Sequence, residues 1–144
     1  MTKINLCCGL NRIDGFVNID KSRKSKADKI IDLEKPRCLK LFKDNSVEEI
    51  LAIHSLEHIY NIIPLMNECY RVLKKGGKML IIVPQGDGQD CDPSHCRRFN
   101  KLSWRYYCNY PLSEIYGIKT HFKEIENKFV DNVDGGVLNV ILEK

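Results

Sequence analysis

The sequence predicts a single α/β domain whose mostly parallel sheet is closed by a C-terminal antiparallel hairpin. Three observations predict it. Five short apolar runs succeed one another in the first 84 residues, two of them ending on or beside an acid. One strongly amphipathic segment separates the fourth run from the fifth. Two late runs are joined by Asp134-Gly135-Gly136, a hairpin-turn signal.

The elements follow in order. Residues 4–8 form a short apolar run closed by Gly9, as a buried strand would be. Residues 15–20 (Gly-Phe-Val-Asn-Ile-Asp) alternate apolar and polar side chains and end on an acid. Residues 29–33 (Lys-Ile-Ile-Asp-Leu) form a third strand, 47–53 a fourth and 78–83 a fifth, which Pro84 stops. Between the last two, Ile62, Leu65, Met66, Cys69, Val72 and Leu73 recur at helical spacing. Asn61 is a suitable N-cap, and Pro64 falls in the first turn. Lys74 and Lys75 suit the C-terminal dipole, and Gly76-Gly77 a left-handed stop. Strand, helix and strand, with strands apolar on both faces, make a right-handed parallel crossover. Residues 85–98, rich in Gly, Asp, Cys and Arg, read as a functional loop. Residues 102–110 are aromatic-rich and helical in pattern, and 122–130 and 137–142 are the closing strands. The expectation is one domain, 1–144, with a seven-stranded sheet and helices on both faces.

At 144 residues the chain has the size of one domain. Hydrophobic residues are 43% and charged residues 29%, an ordinary globular balance. No apolar run approaches the roughly 20 residues that span a bilayer. The first nine residues are too short and polar for a secretory core and read directly into a strand. Seven cysteines, an odd number with no C-x-x-C, suggest reduced, packed thiols. A cytoplasmic protein without a membrane partner is expected. Lys21, Arg23, Lys24, Lys26 and Lys29 form a basic run, but no aromatic residue interleaves it to stack on bases, so nucleic acid is not the expected partner.

Leu6-Cys7-Cys8-Gly9, then Gly15-Phe16-Val17-Asn18-Ile19-Asp20, then Ile31-Asp32-Leu33 resembles the first three strands of class I S-adenosylmethionine-dependent methyltransferases. More narrowly, it is similar to the small predicted-methyltransferase group (methyltransferase type 11-like), which reads L-G-C-G, G-W-x-N-x-D and D-L. The likeness runs on through Ser46-Val47-Glu48-Glu49-Ile50, His54-Ser55-Leu56-Glu57-His58 and Glu68-Cys69-Tyr70-Arg71-Val72-Leu73-Lys74-Lys75-Gly76-Gly77. It then takes in Ile82-Val83-Pro84, Asp92-Pro93-Ser94-His95 and Phe99. It implies a Rossmann-like class I fold, S-adenosylmethionine as cofactor, and methyl transfer to a small acceptor, at an oxygen of a sugar or other metabolite. Two departures stand out. The usual G-x-G-x-G is reduced to Gly9, preceded by Cys7 and Cys8. The first crossover, between Gly9 and Asp20, is too short for a full helix.

An open parallel sheet binds its ligand outside the carboxyl ends of its strands. Gly9 would let backbone approach the methionine part of the cofactor, beside Cys7 and Cys8. Asp20 would accept both ribose hydroxyls. Asp32 or the Leu33 amide would meet the adenine edge, and His54 and Leu56 would line the adenine and sulfonium side. For a hydroxyl acceptor the protein must also take a proton. His95 is the first candidate, oriented by Asp92, with His54 and His58 in reserve. Arg97, Arg98, Trp104, Tyr106 and Tyr107 are candidates for a substrate wall, although core packing is the commoner role of such aromatics. An exposed aromatic surface at 104–110 would favour a homodimer.

Rival readings are a non-catalytic module on the same fold and a zinc-binding or hydrolytic protein using His54, Glu57 and His58. His54-Ser55-Leu56-Glu57-His58 spells the inverted zinc-protease motif H-x-x-E-H, but that motif needs a helix, and here an apolar strand runs into His54. Cys91, His95, Cys96 and Cys108 match no familiar zinc spacing. No metal is assigned.

Overall fold

The computed structural model describes residues 1–132 and 135–144. Its strands are β1 (Thr2–Leu6), β2 (Val17–Asp20), β3 (Lys29–Ile30), β4 (Val47–Ile53), β5 (Leu73–Pro84), β6 (Lys123–Val130) and β7 (Val137–Glu143). One α-helix, α1 (Ile62–Val72), lies between β4 and β5, and 3-10 turns occupy Leu56–His58, Gly86–Gln89, Lys101–Tyr107 and Glu114–Tyr116. The strands form one sheet in the order β3-β2-β1-β4-β5-β7-β6. Strands β1 to β5 pair in parallel, and β7 runs antiparallel to both β5 and β6. This is the expected mixed sheet. Asp134 of the expected hairpin turn lies outside the described residues. Chain order reverses between β1 and β4, so the carboxyl ends of these neighbours make the switch point at which open α/β sheets bind ligands.

Among the described residues α-helices do not cover both faces of the sheet. Among the described residues α1 is the only α-helix, because most connections are too short or too polar to close more than single turns. Helix α1 buries Ile62, Leu65, Met66, Cys69 and Val72, the expected stripe. Its ends differ from expectation. Asn61 makes no side-chain cap; instead the Glu34 carboxylate accepts the amides of Tyr60 (2.6 Å) and Asn61 (2.9 Å). A carboxylate there also complements the helix dipole. The helix stops at Val72, and Leu73 already opens β5, paired with Val47 and fully buried. Lys74, Lys75 and Gly76-Gly77 therefore sit in strand rather than at a helix end. Lys74 pairs with Glu48, and a Cβ on Gly77 would come within 2.9 Å of the Lys74 carbonyl, which only glycine avoids.

The shortened first crossover is held by buried polar side chains. Asn18 is fully buried; its Oδ1 accepts from Asn5 Nδ2 (3.0 Å) and the Ile13 amide (2.9 Å), and its Nδ2 donates to the carbonyls of Ile13 and Phe16 and to Asp28. The Arg12 guanidinium pairs with Asp28 and, with the Asn18 donors, holds that carboxyl well below the usual carboxylate range. These bonds satisfy backbone groups that a helix would have satisfied itself. The loop region 36–46 is tied down similarly: Arg71 forms a two-point pair with Glu68 and donates to the carbonyls of Phe42 and Leu39.

The segment 101–110 lies against the core. Trp104 is fully buried and stacks on Phe99 at 5.0 Å, and Tyr107 is nearly buried. Of the aromatic residues in this segment, Tyr106 and Tyr110 alone stay partly exposed, packed on one another at 4.4 Å. The sheet edges are blunt: β3 has two residues, and β6 exposes Lys123, Glu124, Glu126 and Lys128. Among the described residues no helix is long and apolar enough to cross a membrane.

Candidate active site

Two cavities flank the carboxyl end of β4. The first, about 390 Å³, opens over the ends of β1, β2 and β3 and is walled by Cys7, Asp20, Asp32, Leu33, His54 and Ile59, among others. The second, about 460 Å³, opens beyond β5 and the start of β7 and is walled by His54, Asp87, Asp92, His95 and Val137, among others. His54 belongs to both.

Each position follows from the sheet. Cys7 and His54 directly follow two adjacent central strands and both take left-handed backbone, φ 50° and 47°. For non-glycine residues this conformation is strained by roughly 1–2 kcal/mol each, and such strain gathers at functional sites. Asp20 ends β2, where Gly9 N–H (2.9 Å) and Ser22 N–H (2.7 Å) hold one carboxylate oxygen each. That fixes its rotamer toward the cavity. Gly9, at φ 52°, has nothing within 4 Å of where a Cβ would stand, so the backbone is open to a ligand there. Asp32 accepts the Glu34 amide in a tight turn after β3. Burial, then the neighbouring Asp20 charge, push the Cys7 thiol up to about 12. It is neutral at physiological pH.

Of the residues expected to bind cofactor, Cys7, Asp20, Asp32, Leu33 and His54 meet in the first cavity. Gly9 acts through its amide. Cys8 and Leu56 turn their side chains inward and are buried. His95, Asp92 and His54, the expected catalytic set, all border the second cavity. Asp92 does not hydrogen-bond His95: Asp92 Oδ2 stands 3.9 Å from His95 Nε2, and the Gln89 carbonyl orients the ring through Nδ1 at 3.1 Å. Asp92 instead accepts from the Ser94 amide and hydroxyl, which hold its carboxyl below the usual range. Arg97 donates to the carbonyls of Ile59 and Tyr60, and Arg98 pairs with Asp90, so neither walls the second cavity.

Sequence reading missed Lys21, Ile31, Glu34, Ile59 and Ser94 on the first cavity. Nothing local marks them, since their placement depends on strand ends meeting. It gave Glu57 a role only in the rival zinc-binding or hydrolytic reading with His54 and His58, and not its burial. Glu57 is buried between the cavities and its carbonyl accepts the amides of Cys96 and Arg97, which pins the His95 loop over it. The cysteine set Cys91, Cys96 and Cys108 forms no metal-holding group among the described residues, and all seven thiols are free.

This strand order, with a carboxylate ending β2 beside a cavity at the switch point, defines a Rossmann-like class I methyltransferase fold. A model of the family "Methyltransferase domain" matches residues 3–81, more than half of the chain, and the chain belongs to that family. S-adenosylmethionine is the family's cofactor, and the first cavity offers a fixed carboxylate at Asp20, apolar walls at Ile31, Leu33 and Ile59, and an open backbone beside it at Gly9. The chain is 41% identical over 46 residues to an uncharacterized protein of Methanocaldococcus jannaschii, covering 32% of this chain and 20% of that protein. It is 32% identical over 74 residues to demethylmenaquinone methyltransferase of Tropheryma whipplei, covering 51% of this chain and 27% of that one. The chain thus spans roughly a quarter or less of the length of these curated relatives. A solved S-adenosylmethionine-dependent methyltransferase of Archaeoglobus fulgidus shares the fold, with a TM-score of 0.74 over 99% of this chain and 86% of that one, at 14% identity.

Proposed function

We propose that this protein transfers a methyl group from S-adenosylmethionine to a hydroxyl oxygen of a small acceptor, a sugar or comparable metabolite. The observation that carries this is His54, which walls both the cofactor cavity and the second cavity. When bound, S-adenosylmethionine supplies an electrophilic methyl group and leaves as S-adenosylhomocysteine. Asp20 accepts the ribose hydroxyls, Ile31, Leu33 and Ile59 pack on the adenine, and Asp32 or the Leu33 amide meets its edge. The His54 imidazole takes the acceptor O–H proton, leaving the oxygen its electron pair for the new bond to carbon. His95 and Asp92 orient the acceptor's other polar groups, because rate comes chiefly from alignment in such a displacement. The second cavity suits one sugar ring better than a nucleic acid strand. Seven free thiols support a reducing, cytoplasmic setting.

The test is calorimetric titration with S-adenosylmethionine and S-adenosylhomocysteine, followed by a screen of hydroxylated acceptors for S-adenosylhomocysteine release. Saturable binding is expected, weakened roughly ten- to hundredfold by Asp20→Ala, the loss of about two charge-assisted hydrogen bonds. His54→Ala should lose turnover by about two orders of magnitude at saturating cofactor. Absence of binding at millimolar ligand would refute the cofactor assignment and favour a non-catalytic module. Methylation of nitrogen or carbon acceptors alone would refute the oxygen assignment.

A further inference from the structure

The cofactor cavity and the His54 base leave Glu57 unexplained. Its side chain is 1% exposed, and neither carboxylate oxygen has a hydrogen-bond partner. A carboxylate so placed calls for a compensating positive charge. The nearest charged-group contacts are imidazole nitrogens, His54 Nδ1 at 3.6 Å and His95 Nε2 at 4.0 Å, both beyond hydrogen-bond range. One potential ligand atom from each of Glu57, His58 and His95 lies within 4.8 Å of the other two, and the two imidazole rings stand 4.7 Å apart edge to face.

The hydrogen bonds around these rings favour one tautomer of each. His95 Nδ1 faces the Gln89 carbonyl at 3.1 Å, which only accepts, so Nδ1 carries the proton and Nε2 the lone pair. The Ser94 hydroxyl spends its proton on Asp92 Oδ1 at 2.6 Å, so His58 Nδ1, 3.0 Å from that hydroxyl, is also a donor. In the neutral tautomer that these bonds favour, Nδ1 of each ring is held by a carbonyl or by the Ser94 hydroxyl, and Nε2 is the nitrogen with the lone pair. That is how metal-ligating histidines are held.

We propose that Glu57, His58 and His95 form a site for one divalent transition-metal ion, in the wall between the two cavities, which holds the acceptor through its oxygens. Two imidazoles and one carboxylate suit zinc, manganese or ferrous iron rather than calcium. Ligand atoms around such an ion stand roughly 3–3.5 Å apart, so binding draws the three groups together by about 1 Å. Three protein ligands leave coordination positions open. An acceptor with two adjacent oxygens, such as a vicinal diol, would occupy them, and the ion would lower the pKa of the bound hydroxyl before His54 takes its proton. This role for the ion rests on the methyl-transfer reading; the site itself does not.

The experiment titrates the full chain, stripped with a chelator, with Co²⁺ and Zn²⁺. Calorimetry and the visible absorption of Co²⁺ report the ion, and S-adenosylhomocysteine is titrated into the same samples. One ion per chain is expected, with Glu57→Gln and His95→Ala each weakening it by more than about a hundredfold while S-adenosylhomocysteine still binds. Should Glu57→Gln not fold, His95→Ala and His58→Asn carry the test. No stoichiometric ion, or an ion whose affinity survives these substitutions, overturns the site, whether or not S-adenosylhomocysteine binds. A bound ion lost with the substitutions upholds the site even if S-adenosylhomocysteine does not bind, and the methyl-transfer reading alone then fails.

Discussion

Replacing Asn18 by alanine should loosen the whole loop that carries Gly9. Asn18 is fully buried and its amide makes five contacts, to Asn5, to both backbone groups of Ile13, to the Phe16 carbonyl and to Asp28. Alanine removes all five and leaves the half-buried Ile13 N–H without its partner and the buried Asn5 amide with only the Asn11 carbonyl. At about 1 kcal/mol for each net hydrogen bond, and more for each donor stranded, the loss is about 2–4 kcal/mol, since several contacts share one amide group. In a chain of this length that lowers the melting temperature by on the order of 10 °C. The Asp28 bond to the Asn18 backbone remains, so the sheet itself should persist. S-adenosylhomocysteine affinity should fall in parallel, because Gly9 N–H is one of the two donors that aim Asp20. Urea unfolding and calorimetry on the same sample measure both. In a double-mutant cycle Asn5→Ala and Asn18→Ala should couple by at least about 0.5 kcal/mol. A stability loss below about 1 kcal/mol, or additive single substitutions, would show that the network does not replace the missing helix.

Two further outcomes are expected. Arg71→Ala should destabilise the fold by about 3 kcal/mol, measured by urea unfolding, since it strands the mostly buried Glu68 carboxylate and frees the carbonyls of Leu39 and Phe42. The Arg71 guanidinium holds the Glu68 carboxyl below its ordinary 4.5, so this stability is present above that value and lost as pH falls through the lower folded one. The wild type should therefore lose more stability between pH 6 and acid conditions, about pH 3, than Arg71→Ala; equal acid sensitivity would discard the linkage. In thiol alkylation near pH 8, read by mass spectrometry, the exposed Cys91 and Cys96 should react first. Cys7, pushed up to about 12, and the fully buried Cys69 should stay unmodified. Rapid Cys7 modification would mean that the cofactor cavity opens far more than its walls suggest.

The strands were legible because strand order and burial write a local pattern. Val47–Ile53 is apolar on both faces from Ile50 onward, as a central parallel strand is, and its bounds match expectation residue for residue. The closing pair was legible from the glycines that separate its two runs. The helix was legible in its stripe but not at its ends. Its amino end is capped by Glu34, 26 residues before Tyr60, and its carboxyl end is set by the pairing of Leu73 with Val47. Neither partner is local, so neither could be read from a window of sequence. The missing helix in the first crossover was legible as a length, while its replacement by Asn5, Asn18 and Asp28 was not, because polar residues in a short loop ordinarily face water.

The site divides along the same line. Asp20 ends β2 as expected, while Asp32 stands in the turn after β3, which stops at Ile30 rather than at the expected Leu33; both carboxylates line one cavity. Glu57 carries the opposite lesson. In sequence it is a charged residue in a short turn, for which solvent is the ordinary surroundings. The fold buries it because the segment 94–97 closes over it, with the Cys96 and Arg97 amides bonded to its carbonyl and Arg97 clamped on Ile59 and Tyr60. That closure costs the desolvation of a carboxylate and returns no hydrogen bond to it. It also brings His95 from beyond β5 to face His54 and His58 from beyond β4, so the wall between the two cavities consists of three imidazoles around one carboxylate. A wall built only to separate the cavities would be made of leucine and valine at no such expense. Its composition is therefore the strongest structural reason to look for proton and metal chemistry at that boundary, between cofactor and acceptor, and nowhere else on the sheet.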